Sequence, residues 1–406
     1  MTLFWWHPVN RMTLGRVTCR GRRSNARFKP LFTTALPLIL SLILSVNAHA
    51  QSIDTPAKFA YLIDLSSNAV LLDKAANIPT APASMSKMMT VLMMLERIKA
   101  GTLKLADTFP VSEKAWRKGG SKMFVKLGSR VRVGELLRGI IIQSGNDACI
   151  VVAEGLAGSE TAFAAEMTAR GKELGLENSN FTNSTGWPDP GHVMSARDLA
   201  KLAQILIDEY ADFYPMFSET EYEYNGIKQS NRNPLLSDKI GADGLKTGHT
   251  EVSGYGLTAS AKRGERRLIL VLNGLSSTSQ RAREAERLLE WGFRSFESYP
   301  LVQGKQIVEH APVWLGDRES VPLVLAEPLT VTLSRATRKD MKVTIRYDAP
   351  VPAPIRKGDK VGILTVSAPG ISTIERPLVA DASAEPLGPV GRVLGLTQHW
   401  LGNILP

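Results

Sequence analysis

The segment that most limits the fold runs from Ser86 to Lys99, where Met88, Met89, Val91, Leu92, Met94, Leu95 and Ile98 recur on almost every side of a 3.6-residue period. Gly101 stands where a helix stop belongs. A helix with one apolar stripe lies on a surface, whereas one that is apolar nearly all round must be enclosed. The chain therefore has to wrap this helix in other layers. With 406 residues, 44% apolar and 22% charged, it has material for two or three packed domains, and global disorder is excluded.

The flanking sequence supplies those layers. Residues 59–64 and 69–73 are short apolar runs around Ser66-Ser67-Asn68, which predicts a strand hairpin. Residues 133–154 and 159–175 read as helical, as does 195–208, where Ser195 is placed to cap the helix. After residue 250 the period changes: Gly254–Ala261 and Arg266–Leu272 are β-like runs about Lys262-Arg263-Gly264-Glu265, and Gln280–Phe296 returns to an amphipathic helix. Strand, helices, then strands and a helix predict an α+β sandwich. From Tyr299 the helical period is replaced by runs of Val, Leu and Thr at 329–333, 341–347 and 360–366, punctuated by Pro and Gly. A separate all-β domain is expected over 299–386.

Charge and the chain's ends bear on location. The formal net charge is +10, but seven basic residues and no acid lie in the first fifty, leaving 42 basic against 39 acidic residues over 51–406. A balance of +3 gives no electrostatic footprint for nucleic acid. The basic start leads into the apolar run 36–44 and the small-residue site Ala48-His49-Ala50, which reads as an export signal over 1–50 cleaved before Gln51, with Met12 an alternative start. The apolar run is short for a transmembrane span. Its removal takes Cys19 and leaves Cys149 alone, so no internal disulfide is expected. Cys149 itself is read as a buried small residue rather than a nucleophile.

Chemistry enters at the start of the enclosed helix. Ser84 and Lys87 are three residues apart, which stacks them on one face. A serine hydroxyl is a weak nucleophile unless a base takes its proton, and a lysine desolvated among methionines loses enough basicity to do so as the neutral amine. Ser144-Gly145-Asn146 offers a hydroxyl and an amide in a tight turn. Lys246-Thr247-Gly248, at the entry to a strand, offers positive charge, with Gly248 leaving room for a ligand backbone. Each element is common alone, and Ser84 as a mere helix cap beside a solvated lysine is the plain alternative. In this order and context, the three together have the pattern of active-serine penicillin-recognising enzymes.

The stretches Pro82–Thr90, Gln143–Cys149, Asp243–Thr250 and Glu290–Arg294 extend that likeness over nearly all of residues 51–406. The chain resembles the low-molecular-mass penicillin-binding proteins that are D-alanyl-D-alanine carboxypeptidases. The resemblance implies a β-lactamase/transpeptidase-like catalytic domain over 51–298 followed by a small all-β sandwich domain. It also implies removal of the terminal D-alanine from peptidoglycan stem pentapeptides through an acyl-enzyme on Ser84, covalent inhibition by β-lactams, and no cofactor or metal. By the same resemblance Lys87 is the general base, Ser144 relays a proton to the leaving amine, and Asn146 holds the substrate amide. Lys246 and Thr247 face the terminal carboxylate, and the backbone N–H groups of Ser84 and His249 form the oxyanion hole. Arg232 matches a family arginine close to the Lys-Thr-Gly strand, with a structural ion pair as its other reading. Ser86 stands where threonine is more usual, and a longer segment 275–282 leaves a substrate arginine, Arg281 or Arg283, unassigned.

The nearest rivals are a serine β-lactamase, which in class A has an aspartate where Gly145 stands, a D,D-endopeptidase of the same fold, and an inactive peptidoglycan-binding module. A Ser-His-Asp hydrolase is disfavoured by only His192, His249 and His310 in the core and by the lack of a Gly-x-Ser-x-Gly elbow, and no His or Cys pair has zinc spacing. Behind Gly388-Pro389, the residues Val390, Val393, Leu394, Leu396, Trp400, Leu401, Ile404 and Leu405 recur at three- and four-residue steps. They predict an amphipathic helix over 387–406 lying on the inner-membrane surface, or else packed on the β domain. The expected location is the periplasmic face of a bacterial inner membrane.

Overall fold

A computed structural model describes residues 53–237 and 240–402, in two units that part between Ser298 and Tyr299. The export segment 1–50 lies outside the described residues. In the first unit, strands β1 (Phe59–Asp64) and β2 (Ala69–Lys74) form the expected hairpin, and a single 3-10 turn, Ala83–Ser86, leads into helix α1 (Lys87–Lys99). There follow β3 (Thr108–Pro110), α2 (Glu113–Arg117), β4 (Arg130–Arg132), α3 (Val133–Ile141), α4 (Asn146–Ala157), α5 (Glu160–Glu173) and α6 (Ala196–Glu209). A hairpin of β5 (Glu221–Tyr224) and β6 (Ile227–Ser230) precedes β7 (Ala242–Thr250), β8 (Gly254–Arg263), β9 (Arg266–Leu275) and α7 (Thr278–Ser295).

The main sheet is antiparallel in the order β2-β1-β9-β8-β7, so β7 is an edge strand. Alternation along the strands feeds two cores. Ile269 and Val271 face the helices, where every residue of α1 from Lys87 to Leu95 is buried, while Leu268, Leu270 and Leu272 face α7 through Ala285, Leu288, Leu289 and Phe293. The enclosed helix demanded by the sequence thus sits between the sheet and the other helices. Gly292 lets α7 approach the sheet, since a Cβ there would lie 2.8 Å from Leu268 Cδ1 and 3.0 Å from Leu62 Cδ2.

One end of this sandwich is fixed by a buried ion pair. Asp64, whose side chain has no exposure, accepts from Arg266 Nε at 2.6 Å. The rest of the guanidinium donates to the carbonyls of Gly292, Phe293 and Phe296 at the C-terminus of α7, where the free carbonyls and the helix dipole favour a cation.

Two expectations need correction. The helix predicted over 133–154 is two helices, broken at residues 142–145, where Ser144 takes a left-handed φ of 58°. The apolar period runs on through the break and hides it. Lys246-Thr247-Gly248 lies in the middle of β7 rather than at a strand entry.

The second unit contains β10 (Phe296–Val302, which begins before the boundary), β11 (Ile307–Trp314), β12 (Ser320–Val324), β13 (Leu329–Ser334), β14 (Lys342–Tyr347), β15 (Val351–Pro352), β16 (Lys360–Ser367) and β17 (Ile374–Ala380). A six-stranded sheet, β14-β16-β17-β12-β11-β15, packs Val321, Leu323, Leu364, Val366 and Leu378 against Leu329, Val331 and Leu333 of the β10-β13 pair. The last described element is helix α8 (Pro389–Gly402), on which Val390, Val393 and Leu396 are exposed; Ile404 and Leu405 lie outside the described residues.

Candidate active site

The site is built where α1 begins. Ala83, at φ 49°, turns the chain so that Ser84 stands half-buried at the helix start and Lys87 points inward with no exposure. Lys87 Nζ lies 2.8 Å from Ser84 Oγ, 2.8 Å from Asn146 Oδ1 and 2.5 Å from the Thr185 carbonyl oxygen. Three acceptors match the three donors of an ammonium. Burial, aided by the positive charges of Arg232 and Lys118, nevertheless lowers its pKa to about 8. On the order of a tenth of Lys87 is then neutral at pH 7 and able to accept the Ser84 proton.

A second serine–lysine pair faces the first. Ser144, in the left-handed turn between α3 and α4, accepts from Lys246 Nζ at 2.8 Å, and Lys246 also donates to the Thr247 carbonyl at 3.3 Å. Lys246 is buried, which pushes its pKa well below the ordinary range, and Lys87 and Arg232 push it further. Asn146 is engaged at both ends: Oδ1 accepts from Lys87, and Nδ2 donates to the Gly119 carbonyl at 2.8 Å. The amide expected to hold substrate thus also holds the base.

Gly248 acts differently from the expectation. A Cβ there would lie 2.8 Å from the Pro82 carbonyl oxygen and 3.1 Å from Ala83 Cβ, so the glycine makes room for the turn carrying Ser84 rather than for a ligand backbone. His249, next along β7, stacks on Tyr255 with ring centres 3.9 Å apart.

Two cavities meet at Ser84. The larger, about 470 Å³, is walled by Ser144, Thr247, Tyr255, Arg232 and Arg281; the smaller, about 320 Å³, by Asn146, Trp187, Pro188, Thr250 and Glu251. Arg232 donates to Ser121 Oγ, has no ion-pair partner among the described residues and stands in the wall of the larger cavity. The two unassigned arginines differ in position. Arg281, buried in the first turn of α7, lines the larger cavity with its Nε unpartnered, whereas Arg283 is exposed.

Comparison with known proteins identifies the family. The family model for D-alanyl-D-alanine carboxypeptidases matches residues 45–276, and the model for the penicillin-binding protein 5 C-terminal domain matches residues 296–385. The chain belongs to the D-alanyl-D-alanine carboxypeptidase family. It is 38% identical to the D-alanyl-D-alanine carboxypeptidase DacC of Escherichia coli over 371 residues, covering 88% of this chain and 93% of that one. It is 35% identical to DacF of Bacillus subtilis, covering 89% and 96%. Among solved structures it is similar to penicillin-binding protein 5 from Haemophilus influenzae, with TM-score 0.75 and 33% identity over 82% of this chain and 98% of that one. Penicillin-binding protein 6B from Escherichia coli gives TM-score 0.68 and 32% identity over 81% and 96%.

Within this member of the family, a second layer that sequence reasoning missed sets the first. Thr185, whose carbonyl meets Lys87, lies in a loop tied by Asn183 Oδ1, which accepts from the N–H groups of Thr185 and Trp187. Gly186, at φ 75°, presses on the nucleophile turn so closely that a Cβ would fall 2.0 Å from the Ala83 carbonyl oxygen. Asp147, fully buried, accepts from the N–H groups of Met123, Phe124, Val125 and Ala148, which locks the 123–125 segment to α4. Burial raises the Cys149 pKa to about 12, as befits an inert packed thiol.

Proposed function

We propose that the chain removes the terminal D-alanine of peptidoglycan stem pentapeptides through an acyl-enzyme on Ser84 and is acylated there by β-lactams. The observation that carries this reading is the 2.8 Å contact of Ser84 Oγ with a wholly buried lysine. Ser84 Oγ attacks the carbonyl of the penultimate D-alanine while neutral Lys87 takes its proton. The oxyanion is received by the backbone N–H groups of Ser84 and His249. As the tetrahedral intermediate collapses, Ser144, backed by Lys246, passes a proton to the departing amine. Water then hydrolyses the ester, returning Ser84 and releasing the shortened stem. The free edge of β7 suits an extended substrate laid beside it as an added strand, and Arg232, Thr247 and Arg281 suit the terminal carboxylate.

A β-lactamase reading would need fast ester hydrolysis. Gly145 argues against the class A arrangement, since a side chain there would begin 2.9 Å from Asp147 Oδ1 and 3.1 Å from Met123 N. The test is D-alanine release from a D-Ala-D-Ala tripeptide together with mass spectrometry after penicillin treatment. The expected result is turnover of the peptide and a long-lived adduct, both absent in Ser84→Ala. An adduct remaining on Ser84→Ala would overturn the assignment.

The export segment and α8 support a further reading, that the mature protein works at the periplasmic face of the inner membrane. Among the described residues no single helix is long and apolar enough to span a bilayer, but the exposed Val390, Val393 and Leu396 give α8 an apolar side able to lie in the headgroup layer. Liposome flotation of chains with and without residues 387–406 tests it; equal partitioning would count against an anchor.

A further inference from the structure

The two cavities beside Ser84 differ in charge, and strand β7 runs along both. Thr247 and Gly248 border only the larger, His249 borders both, and Thr250 and Glu251 border only the smaller. The larger cavity has two guanidiniums in its wall and no acid. The smaller has one acid, Glu251, and no lysine or arginine. Glu251 makes no hydrogen bond or ion pair among the described residues, whereas Asp73 and Asp243 are paired with arginines. Beside it, Trp187 is 43% exposed and, with Pro188, gives the smaller cavity an apolar surface. Lys118 Nζ covers the Trp187 ring at 4.4 Å and is not part of the wall.

A substrate that spans Ser84 meets both cavities. Its leaving residue, which ends in a carboxylate, suits the basic one. The acyl half must then lie along the opposite cavity, where methylenes can rest on Trp187 and Pro188 and a terminal positive charge would find Glu251. We infer that this acyl-side cavity is a specificity site for a stem residue whose long side chain ends in a free amine, with Glu251 as its counter-ion. The inference rests on the carboxypeptidase reading above and deepens it. An amine already joined to another stem is an uncharged amide, so the site favours stems that are not cross-linked through that position.

Two synthetic peptides isolate the charge: Nα-acetyl-Lys-D-Ala-D-Ala, with a free side-chain amine, and its Nα,Nε-diacetyl form. For the full chain, kcat/KM for D-alanine release is expected to favour the free amine by about two- to fivefold, the worth of an ion pair open to solvent on one side. The preference should shrink in high salt. It should vanish in Glu251→Gln and reverse in Glu251→Lys, both substitutions at an exposed turn residue. Equal kcat/KM for the two peptides with the wild-type chain, or an unchanged preference in Glu251→Lys, would overturn the inference while leaving the carboxypeptidase reading intact. No D-alanine release from either peptide would instead overturn that reading, and the inference with it.

Discussion

Lys246 Nζ sits 2.8 Å from Ser144 Oγ, across the site from the equally close Lys87 and Ser84. Each serine therefore has its own buried lysine, and the two proton transfers of acylation can use separate groups. If Ser144 and Lys246 act as one proton donor to the leaving amine, Ser144→Ala and Lys246→Ala should each lower kcat by about 10²–10⁴-fold. The double variant should be little worse than the poorer single one. Single-turnover acylation by a tripeptide measures this; strictly multiplicative losses would show that the two residues act independently.

The depressed pKa of Lys87 predicts a pH profile. The base must be neutral, so acylation should rise with pH and level off above about 8. Burial is the main cause, but Arg232 and Lys118 add to it. Lys118→Met removes one positive charge, which stabilises the ammonium and moves the rising limb to higher pH. Penicillin acylation at pH 7 should then slow while the high-pH plateau is kept. A limb that does not move would remove Lys118 from the electrostatics of the base.

Gly186→Ala tests the second layer. A methyl group would meet the Ala83 carbonyl at a distance no packed atom tolerates, in a backbone conformation that disfavours alanine as well. Either the nucleophile turn or the Thr185 loop must move. Because Thr185 holds Lys87, acylation should fall by at least about 10²-fold, as misplacements of this size do. Circular dichroism and urea melts of the same variant show whether the loss is local.

What the sequence discloses follows from which physical signal each element leaves. The all-round apolar pattern of α1 and the stripe of α7 are strong because burial demands them. Ser84, Lys87, Ser144 and Lys246 are visible because their chemistry lives in side chains. Thr185 works through a carbonyl and Gly186 through the lack of a side chain, so neither leaves a chemical mark, although a glycine beside a Thr-Trp pair is a place to look. The break before Asn146 is masked because Ile140–Ile142 and Ala148–Val152 are buried on both sides of it. The β5–β6 hairpin leaves a signal too, in the Glu-Tyr alternation over 221–224 and in Asn225-Gly226, both at positive φ, but each strand is only four residues long and is easily passed over.

The Asp64–Arg266 pair should be a stability element rather than a catalytic one. Removing one partner strands the other in a nearly dry site, at a cost of about 3–5 kcal/mol. Arg266→Ala also leaves the last carbonyls of α7 without their donor. The expected result is a clear drop in the urea midpoint for Arg266→Ala and Asp64→Ala, with the rate of penicillin acylation of the remaining folded protein nearly unchanged. A large kinetic effect without a stability loss would contradict the assignment.

Recognition of the terminal carboxylate should fall to Arg281 more than to Lys246. Lys246 is engaged with Ser144, whereas Arg281 is buried beside the larger cavity with an unpartnered Nε, its guanidinium 5.9 Å from the centre of the Tyr255 ring. A buried donor without a partner is costly unless a ligand supplies one. Arg281→Met should therefore raise KM for peptides ending in a free carboxylate by about 10- to 100-fold, the worth of a hydrogen bond to a charged group. Peptides ending in a carboxamide should be affected far less. Lys246→Ala, by contrast, should lower kcat for both kinds of peptide in similar ratio. Arg283→Met, on the exposed side of the same helix, should change neither. Equal losses on charged and neutral peptides in Arg281→Met would move carboxylate recognition to Arg232, the other guanidinium in that wall.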